Sequence, residues 1–593
     1  MRIYFENYRY PDRATIAPYF TDKETDTLIV PVQFDAKENA WYIEHIGYLF
    51  ISSSAYSGPI FVLPKSFLKA ETDLKGAKDT VLGFNGIYPE LVIDTESKEN
   101  PLTAQGQEEF LPELSLWLFR AMTRYREDCN KEKDYDSLND LNYLTPNDSA
   151  QDRDFLSTAV RLMDFLPDHR NLFTQISKIN NSGRSSIDWH KTIQQDAFVH
   201  KGKPFYLDLQ IKNKAINIDE ELIVLYYSVL RYLKEKYHFR IVLGDVPYNM
   251  KRPSEIQRYL DTGVGKRRMR DMKGKYFRDD LRSLWDMLDA FFTFNTSRDD
   301  KNPIREALVV KNFELVFEKM VDHLIGETGE VADLKKLKDG KFIDHIYLDK
   351  SLIGSDSNIY YIGDSKYYET DKHPEGVAFY KQFTYARNII QYNIDHYYIH
   401  SHRNLNSVRY RDKETEGYNI TPNFFIVPKI EKEQMNYDIP SFSHTEWTPE
   451  TSKHFQDRLF DRDTLILREY SINLLFLIAA YGAYEDWSKP LRSEIRKDLV
   501  LYLKSLYKFF EVIPEPIPLY AGDKKVGEIP FLNYHYNRLR GKVYKVNDKA
   551  KSLIIAFERE GDFGPADYED VKDNIATSIS GGSIEKEMPL EPK

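Results

Sequence analysis

Apolar and polar positions change rhythm several times along the chain. Up to about residue 105, short β-branched and aromatic runs alternate with turn residues, as in "DTLIVPVQF", "WYIEHIGYLFI", "GPIFVLPKSFL" and "PELVID". These runs predict strands. From about 108 to 175 the spacing becomes i, i+3, i+4 in "EEFLPELSLWLFRAMTRYRED" and "DRDFLSTAVRLMDFL", which predicts helices. Another helix is expected over 219–236. From about 305 to 430 the pattern runs helix, two strands, helix, strand. Residues 450–511 read as helical again. The run 472–481 (INLLFLIAAY) is the most apolar. A membrane-spanning helix needs about 20 apolar residues, so this run predicts a buried core helix. A proline-punctuated break at 513–519 precedes a strand-rich piece over 525–557.

The expected fold is therefore α/β and multidomain. A strand-rich N-terminal domain covers 1–105, and a mostly helical middle region covers 106–300. A core of mixed sheet flanked by helices covers 301–430. A helical C-terminal extension with its small strand-rich piece covers 431–575, and 576–593 is a polar, disordered tail. With 593 residues, three or four domains of about 100–200 residues are expected.

Composition narrows the function. Apolar residues make up 41% of the chain, enough for packed cores rather than a disordered polymer. The single cysteine, Cys129, excludes an intramolecular disulfide framework and a cysteine-cluster zinc site. Residues 1–10 have no apolar core and do not read as a secretory signal. With the lone thiol, this places the expected compartment in the cytoplasm, with no membrane association. The net charge of −11 argues against a generally nucleic-acid-coating protein, yet 251–282 carries eleven basic and five acidic residues, a local +6. Lys266, Arg267, Arg268, Arg270, Lys273 and Lys275 cluster there, with Tyr259, Tyr276 and Phe277 interleaved. That pattern suits a DNA backbone, while a solvated helix face is the plain alternative.

The chemistry concentrates in 313–392. "FELVFEKMVDHLIG" is an amphipathic helix in which Glu314 and Glu318 share a face. A strand, "GKFIDHIYL", carries Asp344. The next, "NIYYIGDSKYYE", ends in Asp364-Ser365-Lys366. Residues two apart on a strand point to one side, so Asp364 and Lys366 project together where a neighbour could bring Asp344. A helix follows, with Gln382 and Tyr385 three apart on one side. Two carboxylates are hard oxygen ligands of the kind Mg²⁺ or Mn²⁺ takes. A metal there would neutralise a phosphate and acidify a bound water, and a nearby lysine would offset developing charge. Acid-x-Lys triplets also occur at Asp73, Glu96 and Asp333. Only the 364–366 triplet follows a helix glutamate and a strand aspartate and precedes the Gln/Tyr helix.

That ordered set resembles the PD-(D/E)XK nuclease superfamily. More narrowly, "VFEKM", "GDSKYY" and "YKQFTYA", with "GYLFI", "FVLPKSFL" and "SSIDWHKTI" upstream, are similar to the LlaJI restriction endonuclease family, relatives of the McrC nuclease subunit. The resemblance spans roughly 30–430. It implies a restriction-endonuclease-like core and a metal-dependent DNA endonuclease of a restriction or anti-phage defence system. The implied partners are double-stranded DNA and a McrB-like AAA+ GTPase or ATPase, and a homo-oligomer is left open. Asp344 and Asp364 resemble the metal ligands, with Glu318 the helix glutamate completing the shell. Lys366 resembles the catalytic lysine, and Gln382 and Tyr385 the supporting helix positions. The family's usual proline before the first aspartate is Ile343 here. "TGVGKRR" lacks the first glycine and the final Ser/Thr of a nucleotide-binding loop, with Leu260 and Arg267 in those places. Nucleotide hydrolysis is therefore expected from a partner. Two other readings stand beside this one: a non-catalytic subunit that stimulates an NTPase, and a stand-alone structure-specific nuclease.

Overall fold

The computed structural model describes the chain apart from residues 17–31, 54–55, 71–78, 83–86, 98–99, 105–106, 135–136, 139, 145–153, 170–171, 181–185, 218–219, 295–303, 328, 337–341, 354–357, 369–372, 375, 400–417, 431–436, 438–439, 446–457, 462–464, 515, 546–550 and 559–593. The expected disordered tail, 576–593, lies outside the described residues. Two compact units interleave along the sequence rather than following one another. One comprises 1–63, 87–119 and 141–311, the other 64–86, 120–140 and 312–593.

The first unit is built on a five-stranded sheet. Arg2–Phe5 runs parallel to Ser57–Leu63, which pairs antiparallel with Ile46–Ser52. Ile304–Val310 joins on the far side and carries Leu141–Leu144 at its outer edge. The expected strands in "WYIEHIGYLFI" and "GPIFVLPKSFL" are present as Ala40–Ile43, Ile46–Ser52 and Ser57–Leu63. Most of "DTLIVPVQF" lies outside the described residues, with Val32–Asp35 a strand. "PELVID" is not a strand: Pro89–Leu91 is a 3₁₀ turn opened by a proline, which has no N–H to give to a ladder. Ile304–Val310 falls where a helix was expected to begin. Its burial is nearly continuous, and strands buried on both faces lose the period-two signature. Phe155–Asp168, Glu221–Tyr237 and Asp279–Thr293 are helices. The first starts on Asp154, whose carboxylate accepts the Ser157 N–H at 2.7 Å, an N-cap that satisfies an otherwise orphaned donor. Phe50 of the sheet meets Phe155 and Phe294 at ring separations of 5.1 and 4.8 Å. The middle region also contains strand pairs, Gln175–Asn180 with Ile211–Ile216 and Phe198–His200 with Lys203–Phe205.

The second unit holds a mixed five-stranded sheet. His345–Lys350 is antiparallel to Asn358–Ser365, which runs parallel to Thr421–Lys429. Thr421–Lys429 runs parallel to Leu465–Asn473, which pairs antiparallel with Phe442–His444. The sheet therefore does not stop at residue 430. Leu465–Asn473 is a strand inside a stretch expected to be helical. Its buried charges explain the misreading. Arg468 lies over the Tyr502 ring at 4.4 Å and reaches Asp498 at 3.4 Å, while Glu469 is bonded to His373 and Thr445. Partnered charges can sit in a core, but in sequence they resemble a helix's polar face. Phe313–Ile325 and Val377–Ile399 are the expected helices of this region. Leu474–Gly482 is buried along its length through Tyr481, as the apolar run predicted. A smaller sheet joins Tyr507–Val512, Leu553–Glu558 and Val543–Tyr544. Phe510, Phe531, Leu539, Val543, Leu553 and Ile555 form its apolar cluster. No helix among the described residues is long and apolar enough to cross a membrane.

Candidate functional site

The strand Asn358–Ser365 is apolar and buried along almost its whole length, and it delivers Asp364 to its C-terminal end. Gly363 sets up that arrival. It pairs with His345 on one neighbour and Phe424 on the other. A Cβ at 363 would lie 2.4 Å from the Phe424 ring, so only glycine lets the ring cover the strand. The Lys366 N–H donates to the Ile426 carbonyl at 2.9 Å, continuing the parallel pairing past Ser365. Tyr367 then packs on the Phe313–Ile325 helix, its ring 5.2 Å from Phe313 and 6.0 Å from Phe317. Helix and strand end are thus fixed against each other.

Four predicted groups come together here. Asp364 is buried and takes two ammonium groups: Lys366 contacts Oδ2, and Lys381 lies 3.5 Å from Oδ1. Asp344 stands just before its strand, and its Oδ2 accepts the Ser365 backbone N–H at 3.0 Å. Burial pushes the Asp344 carboxyl well above the usual carboxylate range, and the charges of Asp364 and Glu318 push it further. Glu318 comes from the helix and is raised to about 7. Burial is its main cause; Asp364 adds to it, and Lys366 and Lys381 oppose it. Carboxylates sharing a site cannot all ionise cheaply, so protons are retained there.

The Val377–Ile399 helix adds the remaining groups. Gln382 is fully buried, and neither atom of its carboxamide has a hydrogen-bond partner among the described residues. Its backbone carbonyl accepts from Asn423 Nδ2 at 3.5 Å. Tyr385 is also buried, with the Lys381 ammonium 5.4 Å from its ring centre. Lys381 was not singled out in the sequence, although it directly precedes Gln382. Burial alone would lower its pKa, but the charges of Asp364 and Asp344 outweigh that and raise it. The available signal was its spacing: one turn before Tyr385, it shares that residue's face of the helix.

Sequence reasoning also missed a polar chain behind the carboxylates. Ser365 Oγ lies 2.6 Å from His345 Nε2, and His345 Nδ1 lies 3.3 Å from Asp322 Oδ1. Lys335 closes the chain as an ion pair to the same Asp322 oxygen. Burial alone would raise Asp322, but the His345 hydrogen bond and the Lys335 charge hold it below the usual range. Burial holds the His345 imidazole below its ordinary value, hence neutral near pH 7. An ionised carboxylate only accepts hydrogen bonds, so the imidazole proton sits on Nδ1, and Nε2 accepts from the Ser365 hydroxyl.

Oxygen donors of this kind fit a small hard cation. Among the described residues no three His, Cys, Asp or Glu side chains are gathered into a metal-holding group. Mg²⁺ does not require one, since it is commonly bound through one or two carboxylates, waters and substrate phosphates.

The basic segment belongs to the first unit. Val264–Met272 is a helix with Gly265, Met269 and Met272 buried. A Cβ at 265 would meet the Phe292 ring at 2.2 Å, and Trp285 Nε1 donates to the Met269 carbonyl at 2.9 Å. That packing turns Lys266, Arg267 and Arg270 outward, and Lys273 and Lys275 are exposed just beyond. Arg268 differs from the others, being paired with Glu221 and lying 5.2 Å from the Tyr259 ring centre. Phe277 is 89% exposed beside them.

No family model matches the chain, and no curated protein matches it. Among solved structures it is similar to the refined half-complex from a tetradecameric assembly of Thermococcus gammatolerans McrB AAA+ hexamers with bound McrC. The identity is 11% and the TM-score 0.25, over 79% of this chain and 85% of that chain.

Proposed function

We propose that this protein is a divalent-metal-dependent DNA endonuclease of a restriction or anti-phage defence system, working with a McrB-like AAA+ NTPase. The observation that supports this most is the meeting of Asp344, Asp364 and Lys366, with Glu318 beside them, at one strand end. Asp344 and Asp364 would hold Mg²⁺ or Mn²⁺, with Glu318 the third candidate ligand. Such an ion neutralises the scissile phosphate and lowers the pKa of a bound water. Lys366 places a positive charge next to Asp364, suited to offsetting charge that develops on a phosphate. Without a metal Glu318 titrates at about 7, and a bound cation would favour its ionised, ligating form. Gln382 offers a buried carboxamide with no hydrogen-bond partner among the described residues, and Tyr385 keeps Lys381 in place. Lys266, Arg267, Arg270, Lys273 and Lys275 form the proposed DNA-backbone contacts, because their charge is exposed. Arg268 fits that role less well, because it is already paired.

A non-catalytic subunit that stimulates an NTPase is the second reading. The additional C-terminal sheet of Tyr507–Val512, Leu553–Glu558 and Val543–Tyr544, a part of the chain the carboxylate site does not use, favours it. Plasmid cleavage with Mg²⁺ or Mn²⁺, alone and with an AAA+ partner, separates the two. The nuclease reading expects cleavage that Asp364→Ala and Lys366→Ala abolish while both variants stay folded. Stimulation of the partner's hydrolysis without cutting under any condition favours the second.

A further inference from the structure

The polar chain behind the carboxylates has the geometry of a positioning device. Ser365 stands between Asp364 and Lys366, and side chains alternate along a strand, so its hydroxyl points away from both. Its backbone N–H, however, donates to Asp344 Oδ2 at 3.0 Å. One residue therefore belongs to the strand of one candidate ligand and holds the carboxylate of the other. Its hydroxyl is fixed by His345, which is fully buried, and Ser365 itself is 2% exposed. No substrate reaches this serine, so the Ser-His-Asp order here is not a nucleophile with its base.

The chain continues into the Phe313–Ile325 helix. Asp322 is four residues after Glu318, so the two share one helix face. Glu318 faces the carboxylates, and Asp322 grips His345 at 3.3 Å. Gly326 follows from this. A Cβ there would lie 2.1 Å from Asp322 Oδ1 and 2.5 Å from the Asp322 carbonyl oxygen. Any larger residue would displace the carboxylate from His345.

We infer that Lys335, Asp322, His345 and Ser365 form a relay, buried at His345 and Ser365, that positions the Asp344 and Asp364 carboxylates relative to Glu318 for a divalent cation. This rests on the metal-dependent reading above. His345 and Ser365 are positioning residues and touch no reacting atom. Groups that orient metal ligands typically contribute about 10- to 100-fold to metal affinity or activity.

The test is calorimetric titration of the full chain with Mn²⁺ in the absence of DNA. Thermal melting in chelator checks that each variant is folded. His345→Phe removes the hydrogen bonds and keeps a planar ring; Ser365→Ala removes the hydroxyl and keeps the backbone N–H. Each should weaken Mn²⁺ binding by about 10- to 100-fold. Because both break one chain, the double variant should lose little more than either single one. Ser365→Thr, which restores the hydroxyl, should recover most of the affinity. Unchanged Mn²⁺ affinity in folded His345→Phe and Ser365→Ala overturns the inference, as does a fully multiplicative loss in the double variant. Asp364→Ala distinguishes the two levels. If it loses Mn²⁺ while His345→Phe does not, only the relay is wrong. If it binds Mn²⁺ as the natural chain does, the metal site itself is wrong, and the relay with it.

Discussion

Replacing Glu318 with glutamine tests whether crowding of buried carboxylates sets the character of the site. An ordinary glutamate titrates near 4.5, and Glu318 is raised to about 7, mainly by burial. Between those values the folded, metal-free protein keeps a proton that the unfolded chain has released. Stability from this group is therefore complete below about 4.5 and is lost as pH rises through about 7. At about 1.4 kcal/mol per pH unit, that interval corresponds to about 3 kcal/mol. Glutamine keeps the shape of the protonated side chain and does not titrate. Thermal melts in chelator should show the two proteins nearly alike at low pH, where both are uncharged at 318. Above neutral pH the variant should melt higher, by on the order of 5 °C for a unit of this size. Melting curves that stay parallel across the whole pH range would refute the reasoning. So would a variant that loses its advantage as pH rises.

Three further outcomes follow from the geometry. Lys381 lowers the pKa of both Glu318 and Asp344, so Lys381→Met should move the acidic limb of the pH–rate profile to higher pH; an unmoved limb counts against its role. Gly363→Ala would place a Cβ 2.4 Å from the Phe424 ring, and overpacking of this kind costs about 1–3 kcal/mol, read as a fall in Tm. Neutralising Lys266, Arg267, Arg270, Lys273 and Lys275 together should flatten the dependence of log DNA affinity on log salt by up to about 4.5, since each phosphate contact contributes about 0.9. An unchanged slope would leave that face a solvated surface.

What was legible in the sequence was local. The Asp364-x-Lys366 strand end, the Glu318 helix and the Gln382/Tyr385 helix could be read because strand and helix periodicities fix which neighbours share a side. The buried helix Leu474–Gly482 was readable from its continuous apolar run, too short to span a membrane. The strand Leu465–Asn473 was not, because Arg468 and Glu469 look solvent-facing until Asp498, His373 and Thr445 are seen to partner them. Ile304–Val310 was misread because buried strands lack alternation. The Ser365–His345–Asp322 chain joins three elements, and only the folded sheet brings His345 opposite Gly363. Lys381 was passed over although its spacing, one turn before Tyr385, places it on that residue's face of the helix; its carboxylate partner, Asp364, lies on another element.

In the proposed reaction, Asp344, Asp364 and Lys366 hydrolyse DNA phosphodiesters with a divalent cation. The most direct measurement is cleavage of supercoiled plasmid by the full chain with Mg²⁺ or Mn²⁺, with and without an AAA+ partner, beside Asp364→Ala and Lys366→Ala. Metal-dependent nicking or linearisation by the natural chain, and none by either folded variant, is the expected outcome. Full cleavage by both variants would contradict it.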